Sequence, residues 1–213
     1  MTKPKWRGIP TTQKHIHEKK ALTIINRLGQ KSISLPRIDD AKRLAGFPGL
    51  SGTAKNIAKL IPKCKYYVEA FAGAAKVYQE LPKSRYKKAI LNDKSTFVND
   101  WLKKEFKDPI ITKVDFTTCI KKWDSKDTVF LFDYPWFKSF YLQKFAFFDR
   151  LQVLDYDDEV LELCHKLKGK FIITTRKENV RMLRSGFNHT KIKSIYPVSG
   201  KYPRVLITTN LKV

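Results

Sequence analysis

From Lys65 onward, short apolar runs rich in β-formers alternate with longer runs of helical period. That arrangement packs helices on a largely parallel sheet, so an α/β fold class is expected. Seven strands are predicted, at Tyr66–Ala70, Lys88–Asn92, Ile110–Phe116, Thr128–Phe132, Lys170–Thr174, Lys191–Tyr196 and Arg204–Thr209. Val129-Phe130-Leu131-Phe132 and Phe171-Ile172-Ile173 contain no polar residue, which marks strands buried on both faces. Helices are predicted over Ala74–Leu81, Thr96–Phe106, Asp157–Leu167 and Glu178–Ser185. Asp157-Asp158-Glu159 puts negative charge on the first turn of its helix, and Gly169 follows the last turn, as capping and the helix dipole favour.

Residues 1–45 read differently. They carry eleven Lys/Arg against three acids, with helices expected at Glu18–Leu28 and Asp39–Ala45 and Gly29 at a C-cap position. A helix–turn–helix is one reading. The favoured one is a basic, partly helical arm over 1–45 that lies on nucleic acid, ahead of an α/β domain over 46–213. Neither internal repeats nor low-complexity tracts occur.

Charge changes the picture most. Across 213 residues, 43 Lys and Arg face 20 Asp and Glu, a formal net charge of +23. A field of that sign attracts a polyanion and speeds the encounter, so nucleic acid is the natural partner. Trp6, Tyr86, Trp101 and Tyr202 stand among basic residues, where bases could stack; a solvated lysine-rich surface with core aromatics is the plainer alternative. No apolar stretch reaches the length of a membrane span, and the opening residues lack the apolar segment of a secretory signal. Cys64, Cys119 and Cys164 are far apart and in no metal-ligand spacing, so reduced, buried thiols in a cytoplasmic protein are expected. His15, His17, His165 and His189 fit no ligand or triad pattern.

The candidate chemistry gathers at strand ends. Tyr66-Tyr67-Val68-Glu69-Ala70 runs into Phe71-Ala72-Gly73-Ala74-Ala75 and then a helix. Small residues at such a turn let the backbone approach a ligand and aim amides at it. The second strand ends in Asn92-Asp93, about twenty residues on. An acid there can accept hydrogen bonds from ribose hydroxyls, or it can simply cap the next helix. The third ends in Asp115-Phe116, a carboxylate and a ring suited to the amino group and face of an adenine. The fourth ends in Asp133-Tyr134-Pro135-Trp136, on the carboxyl edge where ligands of open α/β folds collect.

In these features the chain resembles the Dam-type (D12 class) DNA adenine methyltransferases, from about Phe47 to Asn210. Phe47-Pro48-Gly49-Leu50-Ser51-Gly52 and the segment Thr53–Pro62 are similar to the family's Pro-Gly turn and the helix that precedes its first strand. Val68-Glu69-Ala70-Phe71-Ala72-Gly73-Ala74-Ala75 is similar to the family's VEPFAGGG turn, and Asp133-Tyr134-Pro135-Trp136 to its DPPY motif. Asp93, Asp115-Phe116, Leu167–Thr174 and Arg204–Asn210 match further family positions in the same order.

The resemblance implies a Rossmann-like methyltransferase fold, with a seven-stranded mostly parallel sheet and helices on both faces. It also implies S-adenosylmethionine as cofactor. Phe47, Gly49, Glu69, Phe71, Ala72, Gly73, Asp93, Asp115 and Phe116 are then the cofactor-binding residues, and Asp133, Tyr134, Pro135 and Trp136 the catalytic ones; no metal is implied. The family flips adenine out of the duplex. Asp133 and the Tyr134 carbonyl would accept the two amine hydrogens while Trp136 stacks on the base. RNA or single-stranded DNA as substrate, and a binding subunit that has lost the chemistry, remain the rival readings.

Three departures stand out. Tyr134 replaces a proline, Ala74 and Ala75 replace glycines, and Leu50 stands where the family has a lysine. Ala74 or Ala75 would be strained if its φ were positive. The residues between Asp93 and Asp133 are taken up by a helix and the third and fourth strands, which leaves no room for a sequence-reading domain. Relaxed specificity, or a partner subunit that reads sequence, follows.

Overall fold

The computed structural model describes residues 53–134, 156–176, 179–193 and 204–212. The expected arm over 1–45, with its two helices, lies outside them. The elements run α1 (Ala54–Leu60), β1 (Cys64–Glu69), α2 (Lys76–Glu80), a 3-10 turn (Lys83–Arg85), β2 (Tyr86–Asn92), α3 (Thr96–Glu105), β3 (Ile110–Thr112), α4 (Phe116–Trp123), β4 (Thr128–Phe132), α5 (Asp157–Lys166), β5 (Lys170–Arg176), α6 (Val180–Leu183), β6 (Asn188–Lys193) and β7 (Arg204–Thr209).

The strands form one seven-stranded sheet in the order β3-β2-β1-β4-β5-β7-β6. The first five lie parallel, whereas β7 inserts antiparallel between β5 and β6. This is the expected Rossmann-like methyltransferase arrangement. The strand order reverses at β1 and β4, so the carboxyl ends of those neighbours flank the crevice where open α/β sheets take ligands.

The core follows from the pleat. Successive side chains point to opposite faces, so a strand without polar residues must be covered twice. Val68, Ile90, Phe130, Phe132, Phe171, Ile173 and Leu206 pack with Phe116, Cys119 and Ile120 of α4, Val160 and Cys164 of α5, and Met182 of α6. Tyr67, Ala89, Leu91, Val129 and Leu131 occupy the alternate, equally buried positions. On that side Glu69 bonds the first turn of α2, and Tyr78 of α2 meets Phe106 at the end of α3. Helices therefore cover both faces.

The structure corrects several expectations. β3 stops at Thr112, and Asp115-Phe116 begins a helix that the strand reading missed. The signal was present: Phe116, Cys119, Ile120 and Trp123 recur at helical spacing, and Asp115 is a strong N-cap. β6 begins at Asn188, ahead of the predicted Lys191, because pairing with β7 sets its register and its own edge sequence is mostly polar; it is described to Lys193, and residues 194–196 of the predicted Lys191–Tyr196 strand lie outside the described residues. α6 shrinks to Val180–Leu183 behind the N-cap Asn179. Gly169 is no left-handed C-cap. A Cβ there would come within 3.0 Å of the Ser125 and Thr128 carbonyl oxygens, so close backbone approach is what requires glycine.

Trp101 is core rather than a stacking platform, edge-on to Phe106 at 5.8 Å. Tyr86 is half-buried beside Tyr67 and Tyr78, whereas Trp6 and Tyr202 lie outside the described residues. Cys119 and Cys164 are buried and Cys64 half-buried; burial pushes Cys64 and Cys119 up to about 11, which leaves their thiols unreactive. Among the described residues no helix is long and apolar enough to cross a membrane.

Candidate active site

The turn after β1 is shaped by backbone. Ala70 N–H bonds the Leu131 carbonyl of β4 at 3.1 Å, and Ala72 N–H bonds the Asn92 carbonyl of β2 at 2.8 Å, so the chain leaves the sheet tied to both neighbours. Gly73 and Ala75 then both adopt φ near +48°, reversing the chain into α2. Among the described residues nothing lies within 4 Å of where a Gly73 side chain would start, so they leave space open at the turn. At Ala75 the anticipated strain is real: a buried alanine in the left-handed region costs about 1–2 kcal/mol against glycine.

Glu69, expected to bind cofactor, is engaged by its own fold. Its Oε1 accepts from the Tyr67 hydroxyl at 2.8 Å and from Tyr78 N–H at 2.7 Å, supplying α2 with the cap that Ala75 cannot give. Burial pushes this carboxyl up to about 8; those two hydrogen bonds hold it down in part, and the Asp133 charge adds to the rise.

At the end of β2, Asn92 was not singled out from sequence, yet it fastens three strand ends together. Its Nδ2 donates to the Ala70 and Val114 carbonyls, both at 3.1 Å. Its Oδ1 accepts from Thr112 Oγ1 at 2.8 Å and Val114 N–H at 3.1 Å. All four hydrogen-bonding positions of the buried amide are filled. Only its place at a strand end, next to Asp93, could have flagged it.

Asp93 joins two loops. Its Oδ2 accepts from Gly73 N–H and its Oδ1 from Ser95 N–H, each at 2.9 Å. It is not the cap of α3; Ser95 is. The carboxylate thus sits directly on the β1 turn.

Asp115 is exposed and caps α4, with Oδ1 accepting from Thr117 N–H at 3.0 Å and Thr117 Oγ1 at 2.7 Å. Phe116 departs from expectation. It is only 6% exposed, with Phe71 at 4.9 Å and Tyr156 at 5.7 Å between ring centroids, so it offers no open face to an adenine. The half-buried rings of this cluster are Phe71 and Tyr156, themselves 5.4 Å apart. Tyr156 was missed, as a single aromatic ahead of an acidic helix start carries no signal. Burial raises its hydroxyl pKa, and Asp115, Glu159 and Asp93 add to that, which puts it beside the same carboxylates.

The turn after β4 is fixed by side chains. Asp133 is half-buried and its Oδ1 accepts from the Thr174 hydroxyl of β5. Burial raises this carboxyl to about 6, and the Thr174 bond opposes the rise. Tyr134 is 3% exposed, its ring in the core 5.8 Å from Phe71 and its hydroxyl donating to Asp157 Oδ1 at 2.5 Å. Asn179 Nδ2 donates to Asp157 Oδ2 at 2.8 Å, extending the chain of bonds to the start of α6. Where the proline motif fixes φ, this chain anchors the residue at the tip of its side chain.

The structure therefore brings Phe71, Ala72, Gly73, Asp93, Asp133 and Tyr134 to one edge of the sheet. Glu69 serves α2 and Phe116 the core. Phe47, Gly49, Pro135 and Trp136 lie outside the described residues. Among the described residues no group of His, Cys, Asp and Glu is arranged to hold a metal ion.

No known family profile and no curated protein matches the sequence. Solved structures do resemble the chain. A magnesium protoporphyrin IX methyltransferase from Synechocystis, solved with bound SAM, is 9% identical with a TM-score of 0.47, over 97% of this chain and 100% of that one. A putative methyltransferase from Escherichia coli is 15% identical with a TM-score of 0.45, over 76% and 87%. A dimethyladenosine transferase from Plasmodium falciparum is 18% identical with a TM-score of 0.44, over 76% and 61%. At these identities and scores, the fold stands on the strand order and register described above.

Proposed function

We propose that this chain is an S-adenosylmethionine-dependent methyltransferase of the Dam type, acting on the exocyclic amine of adenine in DNA. The observation that carries this reading is the neighbourhood of two turns. A half-buried carboxylate, Asp133, leaves β4 directly beside the left-handed turn that leaves β1, with Tyr134 against Phe71. The β1 turn suits such a cofactor, having open space over Gly73, the Asp93 carboxylate on its backbone, and the rings of Phe71 and Tyr156 half-exposed. Asp93 would take the ribose hydroxyls, and Asp115 a donor further along the edge. S-adenosylmethionine supplies an electrophilic methyl group on a cationic sulfur.

The protein's part is to prepare the nucleophile. An aromatic amine is a poor one because its lone pair is delocalised into the ring. Asp133 accepting one amine hydrogen and the Tyr134 carbonyl accepting the other direct that lone pair outward and stabilise the positive charge that grows on nitrogen. Asp133 must be ionised to do this, so activity rises as pH climbs past about 6. Trp136 gives the extruded base a face to stack on, and holding the reactants in line supplies much of the remaining acceleration.

The +23 charge supports a polyanionic substrate. The span between Asp93 and Asp133 is taken up by α3, β3, α4 and β4, which supports relaxed sequence specificity. Methyl transfer from tritiated cofactor to duplex DNA, single-stranded DNA and RNA tests the reading. N6-methyladenine in many short duplex contexts is expected, and Asp133→Ala should lower the rate by about 100-fold or more. Full activity in that variant, or label confined to RNA, would overturn it.

A further inference from the structure

We propose that Thr174 is a positioning residue for Asp133, holding one carboxylate oxygen with its hydroxyl so that the other is presented to the substrate amine. The inference rests on the amine-acceptor reading of Asp133. Thr174 belongs to β5, which is paired on one side with β4 and on the other with β7. Phe132 pairs with Ile173, so residue 174 falls beside Asp133, one step beyond the last rung of the parallel ladder. On its other side Thr174 pairs with Ile207. Its side chain has no solvent exposure, and a β-branched residue in a doubly paired strand has little freedom at χ1.

The hydroxyl donates to Asp133 Oδ1 and lies 3.5 Å from the Phe132 carbonyl. Asp133 itself follows the end of β4, where no ladder bond holds its side chain. Without Thr174 its carboxyl would be free to turn. Tyr134, the next residue, is held through Asp157, so the two acceptors of the turn are braced separately.

The buried surroundings make the bond matter more. Glu69 and Tyr67 of β1 both feel the Asp133 charge, but Glu69 titrates at about 8 and Tyr67 higher still, so both are neutral where Asp133 loses its proton. Burial is what raises the Asp133 carboxyl, and the Thr174 hydroxyl works against it. One hydroxyl thus orients the carboxylate and keeps it ionised.

The test measures carbon-13 titration of the Asp133 carboxyl in the cofactor-free chain, and the pH–rate profile on plasmid DNA, for wild type, Thr174→Val, Thr174→Ala and Thr174→Ser. Removing the hydroxyl should raise the Asp133 midpoint by about one pH unit, carry the acid limb of kcat with it and leave KM for the cofactor unchanged. Thr174→Ser should restore both. Thr174→Ala gives the same reading if the valine variant does not fold. A midpoint and limb that stay at wild-type values without the hydroxyl would overturn the proposal, whatever happens to thermal stability. Wild-type turnover in Asp133→Ala would instead refute the amine-acceptor reading itself.

Discussion

The turn after β1 keeps its shape through the backbone: Gly73 and Ala75 are left-handed, and Asp93 pins the Gly73 amide. The turn after β4 keeps its shape through side chains, with Asp133 on Thr174 and Tyr134 on Asp157. Under the proposed function, the difference follows from what each would offer. A binding turn needs bare backbone close to a ligand, so side chains are in the way. A turn that presents two acceptors to one amine needs each held in place, and anchors in β5 and α5 would do that. The departures from the motifs that the sequence resembles fall into line with this division. Alanine for glycine strains the first turn, while tyrosine for proline re-anchors the second.

The comparison can be broken from either side. Tyr134→Phe keeps the ring in the core but removes the bond to Asp157. It should lower stability by about 1.5–3 kcal/mol, as for hydrogen bonds to charged groups, and reduce turnover with little change in cofactor affinity. Chemical denaturation and steady-state kinetics would check both; a variant as stable as wild type would show that the side-chain anchor is idle.

Glu69 and Asp133 couple the two turns to pH. Both carboxyls titrate higher in the folded chain than in an unfolded one, at about 8 and about 6. At these two groups the native state holds more protons than the unfolded state from about pH 4 upward, so their contribution to stability falls as pH rises through that range, against a smaller opposite contribution from His189, which burial lowers. Melting temperatures should decline between pH 5 and pH 8 over the windows of both groups. Glu69→Gln, which can still accept from Tyr67 and Tyr78, should flatten the part of the decline above about pH 6. An unchanged slope in that variant would assign the decline elsewhere.

The smallest effect expected is a gain. Ala75→Gly relieves a left-handed alanine and should raise stability by about 1 kcal/mol, partly offset by the greater freedom of glycine in the unfolded chain. A loss would mean that the buried methyl of Ala75 matters more than its backbone strain.

Much of this architecture was legible in the sequence. β4 matched its predicted span because five apolar or β-branched residues between turn signals leave no alternative. Asp93, Asp133 and Gly73 were legible as residues at strand ends. What escaped had little local signal. α4 was hidden because Thr117 and Thr118 extend a β-like run from Ile110, so that Asp115 read as the end of a strand rather than the start of a helix. Asn92, Thr174 and Tyr156 matter through partners 22, 41 and 85 residues away, Ala70, Asp133 and Phe71 respectively, and no window along the chain contains both members of such a pair. Glu69 was legible as an acid at the right turn, but not as the cap of α2.

The most direct test of the division between the two turns is calorimetric titration with S-adenosylhomocysteine of wild type, Asp93→Ala and Asp133→Ala. Wild type should bind. Asp93→Ala should weaken binding by about 1.5–3 kcal/mol, and Asp133→Ala should bind like wild type while failing to transfer methyl groups. No binding by wild type at millimolar ligand, or equal losses of affinity in the two variants, would contradict the account.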